Sequence, residues 1–274
     1  MKKFFAAICA ATLLLTGCGG DSKAPANEKP AEKSEVTLKI GATPVPHAEL
    51  LEQIKSDLKS QGVNLEVIEF NDYVQPNIAL NDKELDANFF QHEPYLNDFV
   101  KEHKDVKLKN AGGIHIEPMG IYSKKIKSLD ELQGGEKVSI PNDPTNGGRA
   151  LLLLQKAGLL KLKDGANETA TVQDIAENPK NLQIQEVEAA QLPRTLEDVA
   201  ISIINTNFAM NADLNPMKDA LFIEDKTSPY VNIIAVRDGD ENRDDIKKLL
   251  NALKSDKVKK FIEEKYNGAI VPAF

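Results

Sequence analysis

The stretch VTLKIGATPVPHAELLEQIKSDLKSQGVNLEVIEF, residues 36–70, decides the class of fold. Val36 to Ala42 alternates as a half-buried strand does, and Pro46 opens a helix whose Leu50, Leu51, Ile54 and Leu58 fall on one stripe. Gly62 stops that helix, and Val63, Leu65, Val67 and Phe70 read as a second strand, which completes a βαβ unit. Downstream the alternation continues. A helix is predicted over Glu93–His103, with Leu96, Phe99 and Val100 as its apolar face, and a strand over Lys137–Pro141 feeds a helix running through Leu151 to Ala157. Further strands are predicted over Leu182–Val187, Val199–Ile204, Leu221–Ile223 and Val231–Val236, and two helices, Asn242–Leu253 and Asp256–Tyr266, close the chain. Strands interleaved with helices predict an α/β fold with mainly parallel sheets.

Upstream of residue 36 the character changes. Met1-Lys2-Lys3 is a short positive region, and Phe4 to Leu15 is an apolar run suited to a signal peptide but too short for a permanent span. It ends in Leu15-Thr16-Gly17-Cys18, which resembles a bacterial lipobox. The resemblance implies removal of residues 1–17 and acylation of Cys18, whose acyl chains anchor the protein to a membrane surface. Residues 18–35 then form a flexible tether, since GGDSKAPANEKPAEKSE contains no large apolar side chain to bury. Of the two cysteines, Cys9 leaves with the signal and Cys18 carries lipid, so disulfides, thiolate metal sites and a catalytic cysteine are excluded from the body. A net charge of −8 with no basic block argues against a nucleic-acid partner.

Ligands of open α/β sheets sit beyond the carboxyl ends of strands. Four such ends are rich in chemistry: Phe70-Asn71-Asp72-Tyr73, Ala87 to His92, Pro141 to Arg149, and Asn205-Thr206-Asn207. They are expected to share one cleft. In Asn142–Arg149, Thr145 or Asn146 can cap the following helix, and Gly147 and Gly148 allow close backbone approach. With the helix N-terminus and the fork of Arg149, this makes a candidate site for a carboxylate or phosphate, although the Gly-Lys-Ser/Thr of a P-loop is missing. The run Phe89-Phe90-Gln91-His92-Glu93-Pro94-Tyr95 concentrates aromatic residues in a chain with no Trp. Phe90 and His92 share a strand face and can wall an apolar pocket, joined by Tyr73. His115 and Glu117 also share a face, and with His47 and His92 they offer the ingredients of a metal site, without the paired spacing on a helix that such sites favour. Asn205, Asn207 and Asn232 lie in or beside apolar strands, where an amide serves the backbone or a polar ligand. No nucleophile elbow, dinucleotide fingerprint or Ser/His/Asp set is visible, so no enzymatic activity and no cofactor are expected.

The segments FNDYVQPN (70–77), LDANFFQHEPYL (85–96), YSKKIKSLDEL (122–132), IPNDPTNGGRALLLLQKAGLLKLKDG (140–165), ENPKNLQI (177–184), QLPRTLED (191–198), INTNFA (204–209) and EDKTSPYVNIIAVR (224–237) resemble, in this order, methionine-binding lipoproteins of the NlpA/MetQ type. The resemblance runs from Val36 to the C-terminus. It implies a two-lobed, periplasmic-binding-protein-like (type 2) α/β fold with a ligand cleft between the lobes. Lobe one is placed at 36–118 plus 225–274 and lobe two at 119–224. The implied function is capture of methionine, L-methionine first, for an ABC permease and its ATPase, by a monomer lipid-anchored in the cell envelope and facing the periplasm or exterior. D-methionine or a methionyl dipeptide is the alternative cargo, and a metal-binding or adhesin-type lipoprotein the alternative class. By the same resemblance Arg149 holds the ligand carboxylate, and Asn205 and Asn232, with Asn207 beside them, orient its polar end. Tyr73, Phe90, His92 and His115 surround the side chain, and Glu117 meets the ammonium. Ile116-Glu117-Pro118 stands where some relatives carry Val-Tyr-Pro.

Overall fold

The computed structural model describes residues 35–274. The expected leader, the expected lipidation at Cys18 and all but the last residue of the expected tether lie outside the described residues. In chain order the strands are β1 (Val36–Ala42), β2 (Val63–Glu69), β3 (Ala87–His92), β4 (Leu108–Ile116), β5 (Gly120–Tyr122), β6 (Lys137–Pro141), β7 (Lys161–Leu162), β8 (Ile175–Glu177), β9 (Gln183–Val187), β10 (Ile201–Ile204), β11 (Ala220–Ile223), β12 (Val231–Arg237) and β13 (Val271–Pro272). The α-helices are α1 (Glu49–Ser60), α2 (Gln75–Asn81), α3 (Glu93–Glu102), α4 (Pro144–Lys156), α5 (Leu192–Thr195), α6 (Thr206–Asn211), α7 (Pro216–Asp219), α8 (Asp244–Leu253) and α9 (Asp256–Tyr266).

Two large sheets organise most of these elements, and β7 and β8 form a separate antiparallel pair. The first has the order β13-β4-β12-β3-β1-β2 and the second β11-β5-β10-β6-β9. Each is covered on both faces. In the first, Leu38, Ile40, Phe89 and Ile234 pack with Leu50, Leu51, Ile54 and Leu58 of α1 and with α8 and α9, while Leu80, Leu85, Phe90, Leu96 and Phe99 fill the other side under α2 and α3. In the second, Val138, Ile140, Ile201 and Ile203 pack against Ala150, Leu151, Leu153 and Leu154 of α4, and Leu192, Leu196, Ile204 and Phe208 cover the far face. Burial on both faces explains why every residue of β3 and β10 is buried and why these strands lack clean alternation.

The sheets are mixed, where the sequence pattern predicts mainly parallel ones. β1 pairs with β2 and β3 in parallel, and β6 pairs in parallel with β9 and β10. β12, however, returns from the second sheet and inserts antiparallel between β3 and β4, and β5 runs antiparallel to β10 and β11. Pairing partners that far apart in sequence leave no local signature.

Two segments carry the chain between the sheets, Glu117–Met119 and Glu224–Tyr230. They are tied side by side: the Glu224 N–H donates to the Met119 carbonyl (2.9 Å), and the Met119 N–H donates to Glu224 Oε2 (3.1 Å).

The start of α4 also departs from expectation. Asp143 is the N-cap, its side chain accepting from the Asn146 N–H, with Pro144 in the first turn. A carboxylate therefore already sits on this helix N-terminus, which leaves it unsuited to a second anion. The close approach allowed at Gly148 serves packing: a Cβ there would lie 2.3 Å from the Glu168 carbonyl oxygen and 2.9 Å from Ala170 N. Because both obstacles are backbone, Gly148→Ala is expected to destabilise the fold by roughly 1–3 kcal/mol. A denaturant midpoint equal to that of the wild type would contradict this packing account.

Candidate functional site

Strand register does much of the work of assembly. On β12, Asn232 lies opposite His92 of β3 on one side and His115 of β4 on the other, so residues far apart in sequence form one row across three strands. Facing this row from the second sheet are Asn146 and Arg149 on the first turns of α4, and Asn205, Thr206 and Asn207 at the carboxyl end of β10. Between them lies a tight cavity, with room for the centre of a water-sized sphere over only about 20 Å³. Tyr73, Phe90, His92, Glu117, Arg149, Asn205, Asn207 and Asn232 all line it. Of the nine residues that the resemblance assigns to the ligand, His115 alone is outside the lining, fully buried behind Glu117, and His47, a metal-site candidate in the sequence, is outside it too. Gln91, Tyr95, Asn146 and Thr206 line the cavity as well.

Arg149 is 2% exposed and almost fully engaged. Its Nε donates to Glu224 Oε1 (2.8 Å), and its Nη2 donates to Glu224 Oε2 (2.5 Å) and to the Glu117 carbonyl (2.7 Å). The guanidinium lies over the Tyr230 ring, 4.1 Å from its centroid. Burial works against the charge, but the Glu224 carboxylate beside it holds the pKa above the ordinary arginine value. With Nε and Nη2 committed, Nη1 is the nitrogen without an acceptor among the described residues.

An aromatic wall stands elsewhere in the lining. The Tyr73 ring centroid lies 5.8 Å from Phe90, 5.7 Å from Tyr95 and 4.8 Å from Phe208. Tyr73 is steered by its hydroxyl, which donates to Asn207 Oδ1 (2.5 Å), and burial drives its pKa well above the ordinary tyrosine value. Gln91 lines the cavity, but its amide is engaged with Asn77 and Asn88 in a buried network that joins α2 to β3. Tyr95 was legible in the aromatic run 89–95; Gln91, Asn146 and Thr206 carry no sequence signal that separates them from capping or core-satisfying residues.

Behind the lining, Glu117 Oε1 is 2.8 Å from His115 Nε2 and 3.2 Å from His47 Nε2, while Oε2 accepts from the Asn207 N–H (3.1 Å). His47 Nε2 also meets Asn232 Oδ1 (3.0 Å), and its Nδ1 meets Thr43 Oγ1 (2.6 Å). The ligating atoms of His47, His115 and Glu117 lie within 4.8 Å of one another, which satisfies the proximity a metal site requires. His47 and His115 each meet the Glu117 carboxylate through Nε2, His115 Nδ1 has no partner among the described residues, and His92 stands apart, bonded to the Tyr95 N–H and Asn146.

The family model described as NlpA lipoprotein matches residues 38–274 of the sequence. The chain belongs to the NlpA lipoprotein family. Among relatives of this family, the D-methionine-binding lipoprotein MetQ of Escherichia coli strain K12 is 47% identical over 273 residues, which cover 98% of this chain and 97% of that protein. Among solved structures, a nutrient binding protein from Burkholderia cenocepacia bound to methionine superposes with a TM-score of 0.83 at 51% identity, covering 86% of this chain and 100% of that one. An ABC transporter periplasmic substrate-binding protein from Coxiella burnetii gives a TM-score of 0.82 at 43% identity, covering 86% and 100%. The two-lobed α/β architecture of this NlpA-family chain is thus shared with solved relatives of high sequence identity.

Burial holds His92 in the lining and His47 and His115 behind it neutral: His47 is lowered to about 4, with Glu117 opposing, and His92 and His115 to about 3. A histidine whose pKa is lowered in the fold takes up protons first when unfolded, so stability falls as pH drops from 6.5 toward 4. Glu117 and Asp143, raised by burial, pull the other way with one proton each against three. The melting temperature is therefore expected to decline between pH 7 and pH 5, and a flat profile over that interval would contradict the neutral assignment.

Proposed function

We propose that this chain is the substrate-binding lipoprotein of an ABC importer, capturing methionine between two lobes and releasing it to a membrane permease served by a separate ATPase. The single observation that carries the reading is the cavity itself, lined by Arg149, one of whose guanidinium nitrogens has no acceptor among the described residues, and walled by Tyr73, Phe90 and Tyr95. A carboxylate meets Arg149, and a thioether gains about 0.3–1.5 kcal/mol from each sulfur–aromatic contact, which favours methionine over a charged side chain. The names of the relatives, one for D-methionine and one solved with methionine, support the same ligand class. L-methionine is placed first, with the D-form and methionyl dipeptides as alternatives of the same class.

In this reading Asn205 and Asn232 orient the polar end of the ligand, and Glu117 supplies negative charge toward its ammonium. His92 and Phe90 border its side chain. Asn207 acts mainly by steering Tyr73, and His115 by holding Glu117. The lobes divide at 36–118 plus 225–274 and 119–224, and capture proceeds by hinge closure at the paired segments Glu117–Met119 and Glu224–Tyr230 without covalent chemistry. The protein works as a monomer held in the cell envelope by lipid on Cys18, facing the periplasm or exterior.

Thermal unfolding with L-methionine, D-methionine, glycyl-methionine, other amino acids and zinc tests the reading. A ligand at a hundred times its dissociation constant stabilises by about 2.7 kcal/mol, enough to move the midpoint by several degrees. A shift confined to methionine and its relatives is expected. A shift with zinc alone, or none despite cooperative unfolding, would overturn it. Asn232→Ala is expected to weaken methionine binding about tenfold or more in calorimetry while melting normally, because a hydrogen bond to a charged ligand group is lost; unchanged affinity would remove Asn232 from the site.

A further inference from the structure

The amides that line the cavity do not choose their own orientation. Asp143, capping α4, receives the Asn146 backbone N–H on Oδ1 (2.9 Å) and the Asn146 side-chain amide on Oδ1 (3.0 Å) and Oδ2 (3.1 Å). A carboxylate only accepts, so Asn146 must turn its NH₂ toward Asp143 and its Oδ1 away. That oxygen then accepts from the Asn205 amide (2.8 Å) and from His92 Nε2 (3.1 Å). His92 agrees with this polarity independently: its Nδ1 accepts from the Tyr95 N–H (3.1 Å), so its proton is on Nε2.

The consequence falls on Asn205. Having given its NH₂ to Asn146, it is left with Oδ1, which is buried and accepts from no group in the described chain. The residue is 6% exposed and lines the cavity. A buried amide oxygen without a donor is costly, and the group it suits is an N–H, above all a cationic one. Asn232 is polarised in the opposite sense. Its Oδ1 faces His47 Nε2, which must carry a proton because it also lies against the Glu117 carboxylate, and so the NH₂ of Asn232 is what remains for an acceptor in the cavity that Arg149 also lines.

We propose that Asp143, acting through Asn146, is a positioning residue that makes Asn205 an obligate acceptor and so selects ligands that carry an ammonium group. Asp143 is itself outside the cavity lining. The inference rests on the proposed capture of an amino acid and adds the source of its polarity: the acceptor at Asn205 and the donors at Arg149 and Asn232 admit a zwitterion in one direction.

The test uses the full-length protein in detergent and two ligands, L-methionine and 4-(methylsulfanyl)butanoic acid, which lacks the ammonium. Titration calorimetry gives the ratio of their dissociation constants in the wild type, in Asp143→Ser and in Asn146→Ala. Serine keeps the helix cap and removes the carboxylate grip on the amide; Asn146→Ala keeps the backbone N–H that Asp143 caps. In the wild type the desamino ligand is expected to bind much more weakly, and in both variants that ratio is expected to shrink about tenfold or more, since Asn205 is then free to rotate. If both ligands weaken in parallel, the residues are merely structural and the proposal is overturned. A wild-type ratio near one also overturns it. Should Asp143→Ser melt without cooperativity, Asn146→Ala carries the comparison alone. Absence of methionine binding in the wild type is a distinct outcome, which would remove the proposed function and this inference with it.

Discussion

A guanidinium that is 2% exposed has to be satisfied by the protein around it, and the way Arg149 is satisfied sets the geometry of the cavity. Its partners come from both segments that connect the sheets: the Glu117 carbonyl from one, the Glu224 carboxylate from the other, with the Tyr230 face closing the third side. The same Glu224 accepts the Met119 N–H. One buried ion pair thus pins the first turns of α4 against both crossing segments. Such pairs contribute little net stability after desolvation, but they admit few alternative arrangements. Placement, more than stability, is what the pair supplies here.

The rest of the polar lining follows the same logic of assigned partners. His47, His92 and His115 are buried and neutral, Glu117 is held between two of them, and each amide in the wall has at least one end committed to a neighbour. Binding of a zwitterion needs donors and acceptors already turned the right way, because reorienting buried dipoles after entry would subtract from affinity. Neutral histidines achieve this without adding charge, which a positive imidazolium beside Arg149 would upset.

Much of this was legible in the sequence where chemistry and local pattern coincide. Asn142–Arg149 follows a strand and opens a helix, so Arg149 could be placed at a strand end, and the aromatic run 89–95 announced a wall. The opening βαβ unit reads directly from period and turn residues, and β1 and α1 lie where they were expected. What stayed hidden depends on long-range partners. Glu224, in Glu224-Asp225-Lys226, looks like any solvated charge alternation, and only the fold brings it to Arg149, 75 residues away. The insertion of β12 between β3 and β4 has no local signature either. The cap of α4 was readable in retrospect: a proline in the first turn makes the residue before it the cap, which is Asp143, while Thr145 and Asn146 already lie inside the helix.

The proposed function requires that Glu224 pre-set Arg149 and leave Nη1 for a ligand carboxylate. Nitrogen-15 NMR of the arginine side chains, with the Arg149 resonances identified by Arg149→Lys, tests it by following hydrogen exchange at Nε and Nη1 with and without methionine. Nε–H is expected to exchange slowly in both states, because it is buried on Glu224, and Nη1 to become protected only when methionine is present. Equal exchange at Nη1 in the two states, or an Nε–H protected only by the ligand, would contradict it.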